Sequence, residues 1–212
     1  MITIAISKGR MQDDALALLA QAGVQLSPES LASRKLAIED GNGDYKFIFV
    51  KPADVPVYVE HGIADCGIVG RDVLLETEAD VLLPLDLGIA RCRLVVAAKD
   101  EHVITRAFGM LRVATKYARI ASSHFGSRGI PVEIIPLSGS VELAPALGLA
   151  DAIVDLVETG RTLAENGLKV IEVITESTGR LVVNRASYQL KAPEVTRLTT
   201  ALSNVLKGAT AA

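Results

Sequence analysis

Short apolar runs alternate along this chain with stretches whose apolar positions recur every three or four residues. Residues 2–7 read as a strand, and 13–22 as a helix with Leu16, Leu19 and Ala20 on one face. A strand at 47–50 precedes a helix entered through Asp54, with Pro56 in its first turn. Strands are predicted at 67–69, 81–87 and 93–98, with a helix over 72–76. The second half repeats the theme. Strands fall at 111–115, 132–137, 152–157, 170–174 and 181–184, and helices at 117–125, 138–148 and 163–166. A closing helix over 193–206 has Pro193 in its first turn and Gly208 beyond its end. Val195, Leu198, Leu202, Val205 and Leu206 form its stripe.

Alternating strands and helices predict an α/β protein with mostly parallel sheet. About eleven strands is many for one sheet in 212 residues, so two lobes with a ligand cleft between them are expected. Half the residues are hydrophobic, enough for a sizeable core. The formal net charge is only −3, which points to neither nucleic acid nor an acidic tail. Cys66 and Cys92 sit in apolar runs and read as buried free thiols. His61, His102 and His124 have no metal-ligand spacing. No basic segment precedes the first apolar run, and no run approaches the ~18 residues of a membrane helix. The expectation is a soluble cytoplasmic protein.

The chemistry concentrates in "DLVETGRTL", residues 155–163. A strand ends in acids and passes directly into a hydroxyl-rich turn. Gly160 permits a sharp bend that exposes backbone N–H groups, and Thr159 and Thr162 add hydroxyl donors. Such a turn suits a phosphate. Asp151, Asp155 and Glu158 would repel a bare phosphate, but suit one whose carrier has hydroxyls or a magnesium ion, such as a ribose 5-phosphate. An ordinary strand–turn–helix joint with a capping Thr remains the other reading. "PLSGSVELAP", residues 136–145, is a second joint of this kind, with Glu142 in its first turn and plain N-capping as its simpler reading. Neither a Walker A loop nor a dinucleotide fingerprint occurs. Cations follow other strands: Lys8 and Arg10 in "SKGR", Arg34 and Lys35 in "SRKL", and Lys51. Singly they read as surface charges; together they could supply positive potential for a polyphosphate.

"ISKGR", "SRKL", "DVPVYVEHGIADCGIVGRDVL", "ATKY", "GSVELAPALGLADAIVDLVETGRTLAENGL" and "RLVVN" occur in this order over nearly the whole chain. They resemble the ATP phosphoribosyltransferase family, first enzymes of histidine biosynthesis. The resemblance implies a two-lobed fold like a type II periplasmic binding protein, with a cleft between lobes. Residues 1–90 and 180–212 would form lobe I, and 91–179 lobe II with the phosphoribosyl-binding loop. It implies the short form, without a C-terminal regulatory domain. Such a form works as a homodimer within a hetero-oligomer containing a regulatory subunit related to histidyl-tRNA synthetase.

The implied reaction is attack of adenine N1 of ATP on C1 of 5-phosphoribosyl 1-diphosphate, with Mg2+ on the diphosphate. Carried over residue by residue, Thr159, Gly160, Arg161, Thr162 and Leu163 would hold the 5-phosphate, and Asp155 the ribose hydroxyls. Glu142, with Asp151, would line the same pocket. Arg10 and Arg34 would stabilise the leaving pyrophosphate and position ATP phosphates. Lys8, Lys51 and Asp72 would serve ATP. The family pattern has Arg where this chain has Lys51, and Thr where it has Val57; Lys keeps the charge without the planar fork. Two alternatives stand beside this reading: a non-catalytic cytosolic anion-binding protein of the same fold, and a phosphoribosyltransferase for another base.

Overall fold

The computed structural model describes residues 1–27, 29, 35–106 and 109–210. Arg34, one of the two arginines assigned to pyrophosphate, lies outside the described residues. The strands in chain order are β1 (Ile2–Ser7), β2 (Ala37–Glu39), β3 (Tyr45–Val50), β4 (Cys66–Gly70), β5 (Leu82–Asp86) and β6 (Cys92–Ala98). They continue with β7 (Leu111–Thr115), β8 (Val132–Pro136), β9 (Ala152–Val157), β10 (Lys169–Ser177) and β11 (Gly179–Val183). The described helices are α1 (Gln12–Gln21), α2 (Val55–Glu60), α3 (Arg71–Thr77), α4 (Val103–Arg106) and α5 (Ala118–Gly126). They are followed by α6 (Leu143–Ala146), α7 (Arg161–Glu165), α8 (Arg185–Leu190) and α9 (Ala192–Thr210). The chain divides into two compact units, Met1–Ala90 with Thr178–Ala212, and Arg91–Ser177.

The first unit is a six-stranded sheet in the order β2-β3-β1-β4-β11-β5. Strand β1 is parallel to β3 and β4, whereas β11 runs antiparallel to β4 and β5. Ile2, Ile4 and Ile6 share one face of β1, where they join Ala15, Leu18 and Leu19 of α1 and Val195, Leu198 and Leu202 of α9. On the other face Ala5, Val69 and Val182 meet Val55 and Val59 of α2. Burial on both faces explains why β1 carries apolar residues on both, Ile2, Ile4 and Ile6 on one and Ala5 on the other. Each fully buried isoleucine contributes about 1.5–3 kcal/mol. Gly67 is required by packing: a Cβ there would lie 2.7 Å from Val55 Cγ1 and 2.9 Å from a methyl of Val59. At the sheet's other end, buried Asp65 accepts from the Thr3 amide, the Ser187 hydroxyl and Lys191 Nζ.

The second unit is a five-stranded sheet in the order β10-β6-β9-β7-β8. Strands β7, β8 and β9 are parallel, and β6 runs antiparallel to both β9 and β10. One face buries Leu94, Val96, Val113 and Val154 against Ile120, Ala121 and Phe125 of α5. The other buries Val95, Ala97, Ile153 and Val157 against Val141, Ala144 and Leu163.

Both sheets are mixed rather than mostly parallel, because β6 and β11 run against their neighbours. The helix expected over 138–148 shrinks to the single turn Leu143–Ala146. Residues 138–140 stay in open backbone, with Ser140 at φ +49°. The last helix starts one residue earlier than predicted and passes through Gly208 to Thr210. A glycine near a helix end lowers helix propensity by only about 1 kcal/mol. No described helix is long and apolar enough to cross a membrane.

Candidate active site

Parallel alignment of β7, β8 and β9 sends their following segments to one edge of the second sheet. That edge gathers Lys116 and Tyr117 after β7, residues 137–142 after β8, and the Glu158-Thr159-Gly160 turn after β9. Gly160 takes the left-handed conformation, φ +81°, as the residue preceding α7. An L residue there would be strained, so the sharp exit from β9 depends on glycine. The Arg161 amide reaches Thr159 Oγ1 at 3.4 Å. The Arg161 guanidinium turns along α7 to Glu165 Oε1, at 2.8 Å, and both side chains are exposed. Leu163 is buried in the core, so its side chain is an anchor for α7 and only its backbone could face a ligand.

Asp155 lies within β9, on the face that also carries Ile153 and Val157. Burial pushes its carboxyl above the ordinary carboxylate range; Lys116 opposes the rise, and the charge of Glu142 adds to it. Lys116 Nζ stands 3.7 Å from Asp155 Oδ1, an ion pair too long for a hydrogen bond. That Oδ1 is buried and makes no hydrogen bond. The charge of Glu142 thus acts on Asp155, and Lys116 stands beside it. Lys116 lies in the "ATKY" stretch but was not among the residues expected at the site. The available signal was a cation directly after a strand, the same signal that marked Lys8.

Asp151 does not join this group. It precedes β9, about 20 Å of extended chain from the turn. There it accepts from the Arg112 amide and binds the Arg112 guanidinium at 2.7 and 3.2 Å. Those bonds hold its carboxyl below the ordinary range, against a smaller opposing effect of burial. Asp151 ties the start of β9 to the start of β7.

In the first unit, β1, β3 and β4 likewise end at one edge. Lys8 follows β1 and its amide donates to Val50 O at 2.8 Å, which continues the pairing with β3. Lys51 follows β3, and both lysine side chains are exposed. Arg10 donates to Ala90 O at 3.2 Å. Asp72, in the first turn of α3, is buried and folded over Gly70 so closely that no Cβ fits there. Lys8, Arg10, Lys51 and Asp72 thus share one edge. Arg71 and Arg180 also lie there; Arg180 pairs with Asp86 at 2.8 Å.

Among the described residues, no group of three His, Cys, Asp and Glu could hold a metal ion. Both cysteines are buried and free.

A family profile described as "HisG: ATP phosphoribosyltransferase" matches residues 51–204. An ATP phosphoribosyltransferase of Geobacillus kaustophilus is 51% identical over 210 residues, covering 97% of this chain and 99% of the relative.

The chain belongs to the ATP phosphoribosyltransferase family.

Members of this family are pentosyltransferases of histidine biosynthesis. They generally use a divalent metal. Among solved structures, the "ATP phosphoribosyl transferase (HisG:HisZ) complex from Thermotoga maritima" contains a similar chain. It has TM-score 0.86 and 37% identity, over 98% of this chain and 100% of that one. The Escherichia coli periplasmic aliphatic sulphonate binding protein has TM-score 0.62 at 11% identity, over 97% of this chain and 72% of that one. That likeness shows a fold shared between ATP phosphoribosyltransferases and periplasmic binding proteins.

Proposed function

We propose that the turn after β9 holds the 5-phosphate of 5-phosphoribosyl 1-diphosphate, and that the edge carrying Lys8, Arg10, Lys51 and Asp72 serves ATP and the leaving pyrophosphate. One observation carries the reading: a left-handed Gly160 between two threonines, directly beyond a strand whose half-buried Asp155 keeps one buried carboxylate oxygen unbonded. Thr159, Thr162 and the amides from Gly160 to Leu163 would bind phosphate. Asp155 and Glu142 would accept hydrogen bonds from the ribose hydroxyls, the groups that make an acid pair compatible with a phosphate ester.

Adenine N1 already carries a lone pair, so attack on C1 requires no strong base. The bond from C1 to pyrophosphate breaks as the bond to N1 forms, with inversion. Negative charge grows on the departing diphosphate. Arg10 and Arg34 would meet it with planar forks, and Lys8 and Lys51 with point charges. Positioning and fixed positive charge account for most of the catalysis.

The metal is magnesium on this reading, and it enters with substrate. The described residues include no cluster of three ligands, which fits an ion carried on diphosphate oxygens and water, as magnesium commonly is on nucleotides. The ion supplies charge neutralisation of the diphosphate. The partner is a regulatory subunit related to histidyl-tRNA synthetase, in a hetero-oligomer built on a homodimer of this chain; support comes from the similar Thermotoga maritima chain, which is described in a HisG:HisZ complex. The compartment is the cytoplasm.

The test is incubation of the protein with both substrates and magnesium, followed by the near-ultraviolet absorbance of phosphoribosyl-ATP. Product that forms only with ATP supports the reading. Product with another base and none with ATP would make it a different phosphoribosyltransferase. Binding of phosphoribosyl diphosphate without turnover would leave an anion-binding protein.

A further inference from the structure

We propose that Lys116 is a positioning residue of the phosphoribosyl pocket: its ammonium steadies the Asp155 carboxylate beside Glu142, in the place where a ribose would be bound. This rests on the phosphoribosyl reading of the turn after β9.

Lys116 is held from several sides. The residue before it, Thr115, is fully buried at the end of β7. Its hydroxyl donates to Val154 O at 2.6 Å and accepts from the Tyr117 amide at 2.8 Å. The turn that carries Lys116 is therefore tied to β9, one residue from Asp155. The Lys116 ammonium lies 5.0 Å from the centroid of the buried Tyr117 ring, a cation–π distance. It lies 3.7 Å from Asp155 Oδ1. Ring and carboxylate together confine a side chain that would otherwise lose much of its affinity for one place to rotamer entropy.

The geometry of the pair is informative. Arg112 and Asp151 of the same unit close to 2.7 Å, whereas Lys116 and Asp155 stay 3.7 Å apart. The carboxylate senses a full positive charge without a hydrogen bond to it, and Oδ1 itself is buried. A ribose hydroxyl would donate to the exposed part of the carboxylate without displacing the ammonium.

The charge balance points the same way. The groups that act on Asp155 are Lys116 from the β7 turn, Glu142 from the segment after β8, and the Leu156 backbone of its own strand. Across β6 the opposite residue is Val95, which is uncharged. Without Lys116, burial and the Glu142 charge would act on Asp155 with no cation to oppose them, and its carboxyl would hold a proton to higher pH. A protonated Asp155 would be a poorer acceptor for the ribose hydroxyls.

The experiment compares the native enzyme with Lys116→Ala and Lys116→Arg. Steady-state rates are measured against phosphoribosyl diphosphate and against ATP from acid to neutral pH. Lys116→Ala should raise KM for phosphoribosyl diphosphate about tenfold, the scale of one charge-assisted contact. KM for ATP should stay within about twofold. The acid limb of kcat/KM for phosphoribosyl diphosphate should move to higher pH, because Asp155 loses the cation that favours its ionised form. Lys116→Arg should restore much of both effects. An unchanged KM and an unmoved acid limb in Lys116→Ala would overturn the proposal. So would equal losses for both substrates, which mark a general structural role.

A second measurement separates this proposal from the reading of the loop. The Asp155 carboxyl is titrated by carbon NMR in the free protein, with and without Lys116→Ala. An upward shift of its midpoint in the variant supports the coupling even if the turn binds another phosphate. Absence of a shift overturns it, whatever the turn binds. Failure of the loop reading shows instead as unchanged phosphoribosyl diphosphate binding when Thr159 and Thr162 are replaced.

Discussion

The Arg10 guanidinium donates to the carbonyl oxygen of Ala90 across 3.2 Å, and Ala90 itself sits in the left-handed region at φ +50°. A non-glycine residue there costs about 1 kcal/mol. Arg10 thus comes from the turn after β1, yet its fork is oriented by a strained residue far along the chain. Arg10→Ala should lower the single-turnover rate about 10²-fold, since the charge it meets is largest in the transition state. Arg10→Lys should recover only part, for want of the fork. The same measurement on Arg34→Ala tests the second arginine. An unchanged chemical rate would remove either one from the catalytic set.

Replacing Thr159 and Thr162 together by Ala should weaken phosphoribosyl diphosphate binding by about 1–3 kcal/mol. ATP affinity should change much less. Gly160→Ala should also weaken it, and for a different reason. The nearest atom to an added Cβ, Val157 Cγ1, is 3.8 Å away, so space is available, but φ +81° is not a conformation for alanine. A cost of about 1–2 kcal/mol or a distorted turn follows. Calorimetric titration of each ligand separates these outcomes from a global loss of binding.

Asp65 governs acid stability in the first unit. Burial tends to raise its pKa, but the bonds from Lys191, Ser187 and the Thr3 amide outweigh burial and leave it lowered. The resulting stabilisation is complete above the ordinary carboxylate value and is lost as pH falls through the lowered native value. Asp65→Asn should therefore destabilise the protein by about 2–4 kcal/mol at neutral pH. Its stability should also fall less steeply under acid. Urea melts at neutral and acid pH measure both effects; equal acid sensitivity in the variant would contradict the assignment.

Burial pushes the Cys66 thiol up to about 12, with the nearby Asp65 charge adding to the effect. Cys92 is also buried, with its thiol directed at Ser177 O. Neither should react with iodoacetamide at pH 8 in the native protein, and both should react in denaturant. Mass spectrometry of labelled peptides checks this. Rapid native labelling of either would contradict the packing described.

Regulation tests the proposed partner. Activity of the chain alone should be insensitive to histidine at concentrations that inhibit the complex, and adding the regulatory subunit should restore sensitivity. Equal inhibition with and without the subunit would place a histidine site on this chain.

The turn after β9 was legible because its signal is local. A glycine between two threonines after an apolar run states its conformation and its donors in consecutive residues. Asp151 shows where such reading fails. Four positions separate it from Asp155, and in extended chain they set it about 13 Å back, before the start of β9. Its partner Arg112 comes from a different strand, 39 residues away. Helix α8 was missed because "RASYQL" has no apolar stripe; its start is held by the Asn184 side chain, which accepts from the Ser187 amide. The short strand β2 exists through its pairing with β3.

By itself, the sequence determined the alternation of strands and helices, the sharp glycine turn after β9, the buried thiols and the family. Each of these is written in residue period, in glycine and hydroxyl placement, or in motif order, all of which are local. Only the tertiary structure decided that the sheets are mixed, that Lys116 stands beside Asp155, that Asp151 belongs to Arg112, and that Arg10 is oriented by Ala90. Those outcomes depend on which strands pair and in what register. Pairing is selected by the burial of whole faces, a sum over distant residues that no single stretch of chain contains.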